Sequence, residues 1–127
     1  MINLKRAYDA AEPTDGYRIL VDRLWPRGIR KEALPLDAWE PTLAPSGALR
    51  KWFGHDPARW SEFARRYRDE LRSDAAQALL ADLAWRVTVG NVTLVFAARD
   101  VTHSNAEVLK EEIESALGTG AHPRGPG

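Results

Sequence analysis

Two apolar segments of this chain run directly into charged residues, and they constrain the fold more than any other feature. Ile19–Val21 precedes the segment DRLWPRG at 22–28, and Val92–Ala97 precedes a polar segment at 99–105. Uninterrupted apolar runs of this kind are typical of parallel strands buried on both faces. Because helical sequence connects them, we predict that the two strands are parallel neighbours with their polar residues at one rim, which is where α/β sheets bind ligands.

Helical periodicity and capping residues occupy the chain between these two strands. Ser46 and Asp56 are predicted N-caps, and a further helix is predicted to start near residue 73. Weak alternation predicts a first strand at 2–8, and a final helix is predicted from about 103 to 117. We therefore expect an α/β fold, with a small, mostly parallel sheet of three or so strands covered by helices.

The length of the chain indicates one domain, predicted at 1–117, followed by a disordered tail at 118–127. The 127 residues include no cysteine, which excludes disulfides, iron–sulfur clusters and thiolate zinc sites. No segment resembles a membrane span or the apolar core of a signal peptide, so we expect a soluble cytoplasmic protein. The formal net charge of zero argues against a nonspecific nucleic-acid binder.

The polar segment after the first buried strand has the residue types of an anion site. Arg23 and Arg27 can bind a phosphate or carboxylate, Asp22 can act as a base or an orienting group, and Trp25 can stack on a base or sugar. The same residues also suit a structural role, in which Asp22 pairs with an arginine and Trp25 is a buried anchor. Gly28 would let the backbone approach a bound group closely.

The second polar segment lies where a strand leads into a helix. Helix N-termini favour anions, so Arg99 and Asn105 are predicted to bind the ligand. Asp100 and His103 are predicted catalytic residues, because a histidine near the positive end of a helix stays neutral and can accept a proton. The simpler alternative is that Asp100, Thr102 and Ser104 only cap the helix.

The helical middle of the chain supplies two further candidates. Arg50 and His55 join the ligand-binding residues if this region folds over the strand ends; otherwise His55 is a surface residue at a helix junction. Glu70 can pair with Arg23 or Arg99 in the cleft, or it can be a charge at the boundary of an apolar helix face.

Several motifs that would name a chemistry are missing from the sequence. It has neither a phosphate-binding glycine loop nor a Gly-x-Ser-x-Gly nucleophile motif. The three histidines lack the spacing of metal ligands, and Asp22 with Asp100 is a weak signal for Mg²⁺. We therefore predict no metal site, and the sequence identifies no cofactor.

Four motifs follow one another in a fixed order along the chain. They are VDRLWPRG at 21–28, PS and LRKWFGHD within 45–56, the Trp60, Phe63, Tyr67, Glu70 series, and ARD with HSNA within 98–106. Together they cover nearly the whole chain apart from the tail, and they resemble the YeaO-like family, domain of unknown function 488. The resemblance implies a compact three-layer α/β domain and implies no particular activity.

Two functions are consistent with these observations. The first is an enzyme or sensor that binds a small anionic ligand, such as a nucleotide or sugar phosphate, at the strand ends. The alternative is a nucleic-acid or protein interaction module that uses the arginine- and tryptophan-rich helical surface at 59–72. A third possibility is that the strand-end charges form only an internal ion-pair network, in which case Arg23→Ala would unfold the protein.

Overall fold

The computed structural model describes residues 1–124, with side chains described for residues 1–118. Within this range, four strands form one sheet in which every neighbouring pair is parallel. The strands are β1 Ile2–Arg6, β2 Tyr17–Leu20, β3 Ala38–Trp39 and β4 Val92–Phe96, and their order across the sheet is β1-β4-β2-β3. The α/β class and the parallel pairing of the two apolar strands are confirmed, and the sheet has one more strand than the sequence pattern shows.

The α-helices of the described residues begin close to the predicted caps. They are α1 Gly47–Phe53, α2 Trp60–Glu70, α3 Asp74–Val89 and α4 Asn105–Arg124. The side chains of Ser46 and Ser73 cap α1 and α3, and Asp56 caps the short 3-10 turn that leads into α2. None of the helices in this range is long and apolar enough to cross a membrane.

The last helix differs from its predicted bounds at both ends. It begins at Asn105 instead of His103. The preceding residue is Ser104, whose hydroxyl oxygen accepts the backbone N–H of Glu107 at 3.3 Å. It continues beyond Leu117, where the periodicity ends, and residues 125–127 of the predicted tail lie outside the described residues.

The two faces of the sheet are covered differently. On one face, alternate side chains of β2 and β4 pack against the helices in the main hydrophobic core. On the other face, Leu20 and Val95 pack against Leu34, with partly buried side chains from the same irregular segment, residues 25–36. The third layer of the predicted three-layer domain is therefore a loop segment, and that segment also carries Arg27 of the predicted site.

Buried polar contacts attach this loop segment to β2. The carboxylate of Asp37, next to β3, accepts the backbone N–H of Arg18 at 2.8 Å. The buried Arg18 guanidinium donates to the carbonyl of Pro35 at 2.8 Å and to the Asp15 carboxylate at 2.6 Å. The bonds from Arg18 to Asp37 and Pro35 span 19 and 17 residues, and they attach the C-terminal end of this loop segment to β2.

Candidate functional site

A cavity of about 380 Å³ opens at the carboxyl ends of β2 and β4. Two segments that are distant along the chain meet here, as the parallel pairing predicts. Among the residues that line it are nine of the predicted site residues: Asp22, Arg23, Trp25, Arg27, Arg50, His55, Arg99, His103 and Asn105. The remaining predicted site residue, Asp100, does not line the cavity. The volume lies within the range of roughly 300–1,000 Å³ that is usual for small-molecule sites.

Asp22 joins the two strand ends at the base of this cavity. One of its carboxylate oxygens accepts the backbone N–H of Ala97 at 2.9 Å, and the other accepts the Asn105 side-chain amide at 3.2 Å. Burial raises the pKa of Asp22 above its ordinary value, although these two hydrogen bonds and the charge of Arg50 act in the opposite direction. The predicted pairing of Asp22 with an arginine is therefore replaced by hydrogen bonds to neutral groups.

Four guanidinium groups surround the cavity without a bonded partner. Arg23, Arg27, Arg50 and Arg99 are exposed, and none of these side chains forms a hydrogen bond or ion pair with any residue that the structure describes. Most other arginines are bonded, namely Arg6, Arg18, Arg59, Arg65, Arg66, Arg68 and Arg86. The strand-end arginines of the described residues therefore do not form the internal ion-pair network that was one of the possibilities from the sequence.

Asp100 lies outside the cavity lining but holds a residue that lines it. Its carboxylate accepts the backbone N–H of His103 at 3.2 Å and lies 2.7 Å from Nδ1 of the same residue. The bond to the His103 ring is the main cause of a pKa of Asp100 below its ordinary value. Because an ionised carboxylate only accepts hydrogen bonds, Nδ1 donates, and Nε2 of a neutral ring remains an acceptor.

A hydrogen bond and a ring contact hold Trp25 in the cavity wall. Its indole Nε1 donates to the carbonyl of Ile29 at 2.6 Å, and its ring packs edge-on against Trp39 with the centroids 5.6 Å apart. Trp39 in turn donates from its indole Nε1 to the backbone carbonyl of Asp22 at 2.8 Å. The structural role of Trp25 is therefore established, while its partly exposed ring still lines the cavity.

Gly28 and His55 both adopt backbone conformations with positive φ. Gly28 has a φ of 83°, and no atom lies within 4 Å of a Cβ placed on it. The glycine is thus suited to a left-handed turn, and its close approach to a bound group stays a prediction. His55 has a φ of 58° immediately after Gly54, the left-handed C-cap of α1, and this turn brings it to the cavity.

Several residues that line the cavity were not predicted as site residues, among them Tyr8, Phe53 and Phe63. Tyr8 follows the carboxyl end of β1, which is paired in parallel with β4. A parallel first strand would have placed Tyr8 at the same rim, so its position after β1 is the signal that could have identified it. Phe53 and Phe63 carry only the helical periodicity of core residues, which does not distinguish a core from a cavity wall.

The helical residues around the cavity correct two expectations. Glu70 does not pair with Arg23 or Arg99, because its carboxylate accepts the backbone N–H and the hydroxyl of Ser46 at 2.8 and 2.7 Å. On the arginine-rich surface of α2, Arg65 and Arg66 both bind Glu62. These bonds lower the pKa of Glu62 to about 2.

Further bonds neutralise the same helical surface. Arg68 pairs with Glu111 and Glu112 of α4. Arg66 also packs 4.4 Å from the centroid of the Trp52 ring. A nucleic acid would have to compete with these internal partners, so the described contacts do not support the predicted alternative of a nucleic-acid interface.

The described residues also include no group of three or more histidine, cysteine, aspartate or glutamate side chains that could hold a metal ion. Asp22 and Asp100 together were a weak signal for Mg²⁺ in the sequence, but Asp22 lines the cavity and Asp100 does not. The chemistry available to the cavity is therefore that of guanidinium groups, one carboxylate, an amide, two imidazoles, two hydroxyls and aromatic rings.

Comparison with known proteins agrees with the motifs. A family model described as "Inactive DUF488-N3 subclade" matches residues 1–126. This chain belongs to the DUF488 family. The YeaO-like resemblance is thereby confirmed, and the match covers every segment that contributes to the cavity of this DUF488 domain.

Two relatives show how far the similarity extends. "Uncharacterized protein Rv3073c" of Mycobacterium tuberculosis is 44% identical over 110 residues, which are 87% of this chain and 91% of the relative. "Uncharacterized protein YeaO" of Escherichia coli is 43% identical over 115 residues, which are 90% of this chain and 97% of the relative. No solved structure matches this DUF488 chain.

Proposed function

We propose that the cavity binds a small phosphorylated molecule of the size of a nucleotide or a sugar phosphate, and that the protein acts as a receptor for it. The observation that carries this proposal is the placement of four guanidinium groups, all without bonded partners among the described residues, around one cavity. Guanidinium remains charged at any physiological pH and binds phosphate oxygens in a bidentate manner. A phosphate in the cavity would supply the partners that these arginines lack.

The start of α4 adds to the attraction for an anion. His103, Ser104 and Asn105 line the cavity where this helix begins. The first N–H groups of a helix and its dipole favour negative charge at this end. The effect is modest by itself, and it acts in the same direction as the four arginines.

Binding without turnover is the form of this function that the family favours, because the matching subclade is described as inactive. In a receptor, the residues predicted to be catalytic have positioning roles. Asp22 joins the two strand ends through Ala97 and Asn105, and Asp100 fixes the ring of His103. We assign no bond-breaking step to any of them.

Isothermal titration calorimetry on the full chain tests the proposal with AMP, ribose 5-phosphate and inorganic phosphate as probes. We expect at least one organic phosphate to bind, with an affinity that falls as the salt concentration rises. Arg99→Ala should weaken binding by about 10-fold to 100-fold, because a hydrogen bond to a charged group contributes roughly 1.5–3 kcal/mol.

Arg30→Ala is the matched control for this experiment. Arg30 is also exposed and has no bonded partner among the described residues, but it does not line the cavity. Its substitution should leave the affinity unchanged. If no probe binds, or if both substitutions weaken binding equally, the cavity is not the phosphate site.

A further inference from the structure

Asp22 differs in chemistry and position from the cations of the same cavity. It is the one carboxylate among the described residues that line the cavity, and it is partly buried where the four arginines are exposed. It forms no ion pair with an arginine among the described residues, although the charge of Arg50 acts on it. A site built only for an inorganic anion would gain nothing from a negative group at its base.

The hydrogen bonds that hold Asp22 leave part of its accepting capacity unused. An ionised carboxylate has about four acceptor positions. Two are filled, one on each oxygen: Oδ2 accepts from Ala97 N–H at 2.9 Å and Oδ1 accepts from Asn105 Nδ2 at 3.2 Å. Each oxygen of this carboxylate therefore retains one position, and because Asp22 lines the cavity the pair suits two adjacent donors on one ligand.

The surrounding charges restrict what those donors can be. A cationic donor on the ligand would be repelled by Arg23, Arg27, Arg50 and Arg99, which all line the same cavity. Neutral hydroxyl donors are not repelled, and a hydroxyl that donates to a carboxylate forms one of the stronger kinds of hydrogen bond. Dinucleotide-binding folds use an acidic residue in this way to bind a ribose hydroxyl.

We infer that the ligand carries two adjacent hydroxyl groups as well as its phosphate, and that Asp22 binds this diol while the arginines bind the phosphate. The inference rests on the proposed function and assigns Asp22 a binding role. The ionised Asp22 repels phosphate, so the two ends of the ligand lie apart, with the phosphate towards the exposed arginines and the sugar towards the base of the cavity. A phosphorylated pentose with free 2- and 3-hydroxyls meets this description, either alone or as part of a ribonucleotide.

Paired probes that differ by one hydroxyl test the inference on the wild-type chain. Calorimetry would compare ribose 5-phosphate with 2-deoxyribose 5-phosphate, and AMP with dAMP. We expect the ribo form to bind about 10-fold or more tightly in at least one pair, because the deoxy form lacks one charge-assisted hydrogen bond. If the ribo form binds more tightly only in the AMP pair, the ligand is a nucleotide. If it binds more tightly in both pairs, the phosphorylated pentose is sufficient for recognition.

Asp22→Asn provides the second measurement. The variant should lose the preference for the ribo form while it still binds both members of a pair, and circular dichroism would show that it is folded. Equal binding of ribo and deoxy forms by the wild type, with both affinities lowered by Arg99→Ala, overturns the inference about the diol and leaves the phosphate site in place. Failure of every probe to bind overturns the phosphate site as well.

Discussion

The carboxylate of Asp22 accepts the backbone N–H of Ala97 at 2.9 Å, and this bond joins the ends of two neighbouring parallel strands. Asp22 follows β2 and Ala97 directly follows β4, so the bond continues the pairing of the strands beyond their last residues. It also determines that an acidic group lies at the base of a cavity lined by arginines. The side chain that extends the strand pairing is thus also the carboxylate that lines the cavity.

The raised pKa of Asp22 gives a direction for the dependence of stability on pH. The pKa of an aspartate in the unfolded chain is about 3.9, and burial raises it in the folded protein. The contribution of Asp22 is therefore greatest below about pH 4 and is lost as the pH rises through the folded pKa. We expect the free energy of unfolding of wild type minus that of Asp22→Asn, measured with urea, to decrease over this interval.

Asp100→Asn is the control, because its effect on the free energy of unfolding should change with pH in the opposite direction. The pKa of Asp100 is lowered, chiefly by its hydrogen bond with His103, so its contribution is present above about pH 4 and is lost as the pH falls through the folded pKa. The corresponding difference should therefore increase with pH. Two differences with the same slope would show that the burial of Asp22 does not govern its titration.

Removal of a cavity arginine should leave the fold intact. We expect Arg23→Ala to change the free energy of unfolding by no more than about 0.5 kcal/mol, because its side chain has no bonded partner among the described residues. Arg18→Ala should cost towards the lower end of about 3–5 kcal/mol, because it breaks a buried ion pair while Lys5 still binds Asp15 at 2.8 Å. Chemical denaturation of both variants measures the difference, and unfolding of the Arg23 variant would restore the ion-pair network hypothesis.

The hydroxyl of Tyr67 is expected to contribute to stability. Tyr67 is fully buried, and its hydroxyl donates to the backbone carbonyl of Leu43. Tyr67→Phe leaves that carbonyl without its partner and should cost about 1–3 kcal/mol. Tyr8→Phe removes an exposed hydroxyl that donates to the carbonyl of Arg27, and should cost less than about 0.5 kcal/mol. Equal unfolding midpoints for the two variants would contradict this assignment.

Two glycines with similar φ values should respond differently to alanine. Gly16 has a φ of 66°, and a Cβ there would lie 2.2 Å from the backbone oxygen of Asn91. Gly28 has a φ of 83° and open space around the same position. Gly28→Ala should therefore lower the free energy of unfolding by about 1–2 kcal/mol, because alanine is strained in a left-handed backbone. Gly16→Ala should lower it by clearly more. Thermal unfolding measures both, and a Gly16 variant as stable as the Gly28 variant would show that Asn91 moves without cost.

Local signals in the sequence were sufficient for most of the elements and for the position of the cavity. Ser46 and Ser73 mark helix starts because their hydroxyls satisfy free backbone N–H groups, a requirement that depends only on nearby residues. The parallel pairing of β2 with β4 follows from their apolar composition and from the helices between them. Their polar continuations could therefore be placed at one rim without knowledge of side-chain contacts.

Features that depend on distant partners could not be predicted in this way. β3 has two residues, Ala38–Trp39, too few for any periodicity, and its existence depends on pairing with β2. The burial of Arg18 depends on Pro35, which is 17 residues away along the chain and reaches it only in the folded protein. Asp100 is predicted as part of the site because it follows the end of β4, but its side chain bonds His103 and is not part of the cavity lining.

The irregular cover on the second face of the sheet has a consequence for how such proteins diverge. Residues 25–36 contribute to that cover, and the same stretch includes Trp25 and Arg27 of the cavity wall. Loops tolerate insertion and replacement better than packed helices. Under the proposed function, substitutions there can change which small molecule the cavity accepts without repacking the helical layer, so ligand preference and overall architecture can evolve separately.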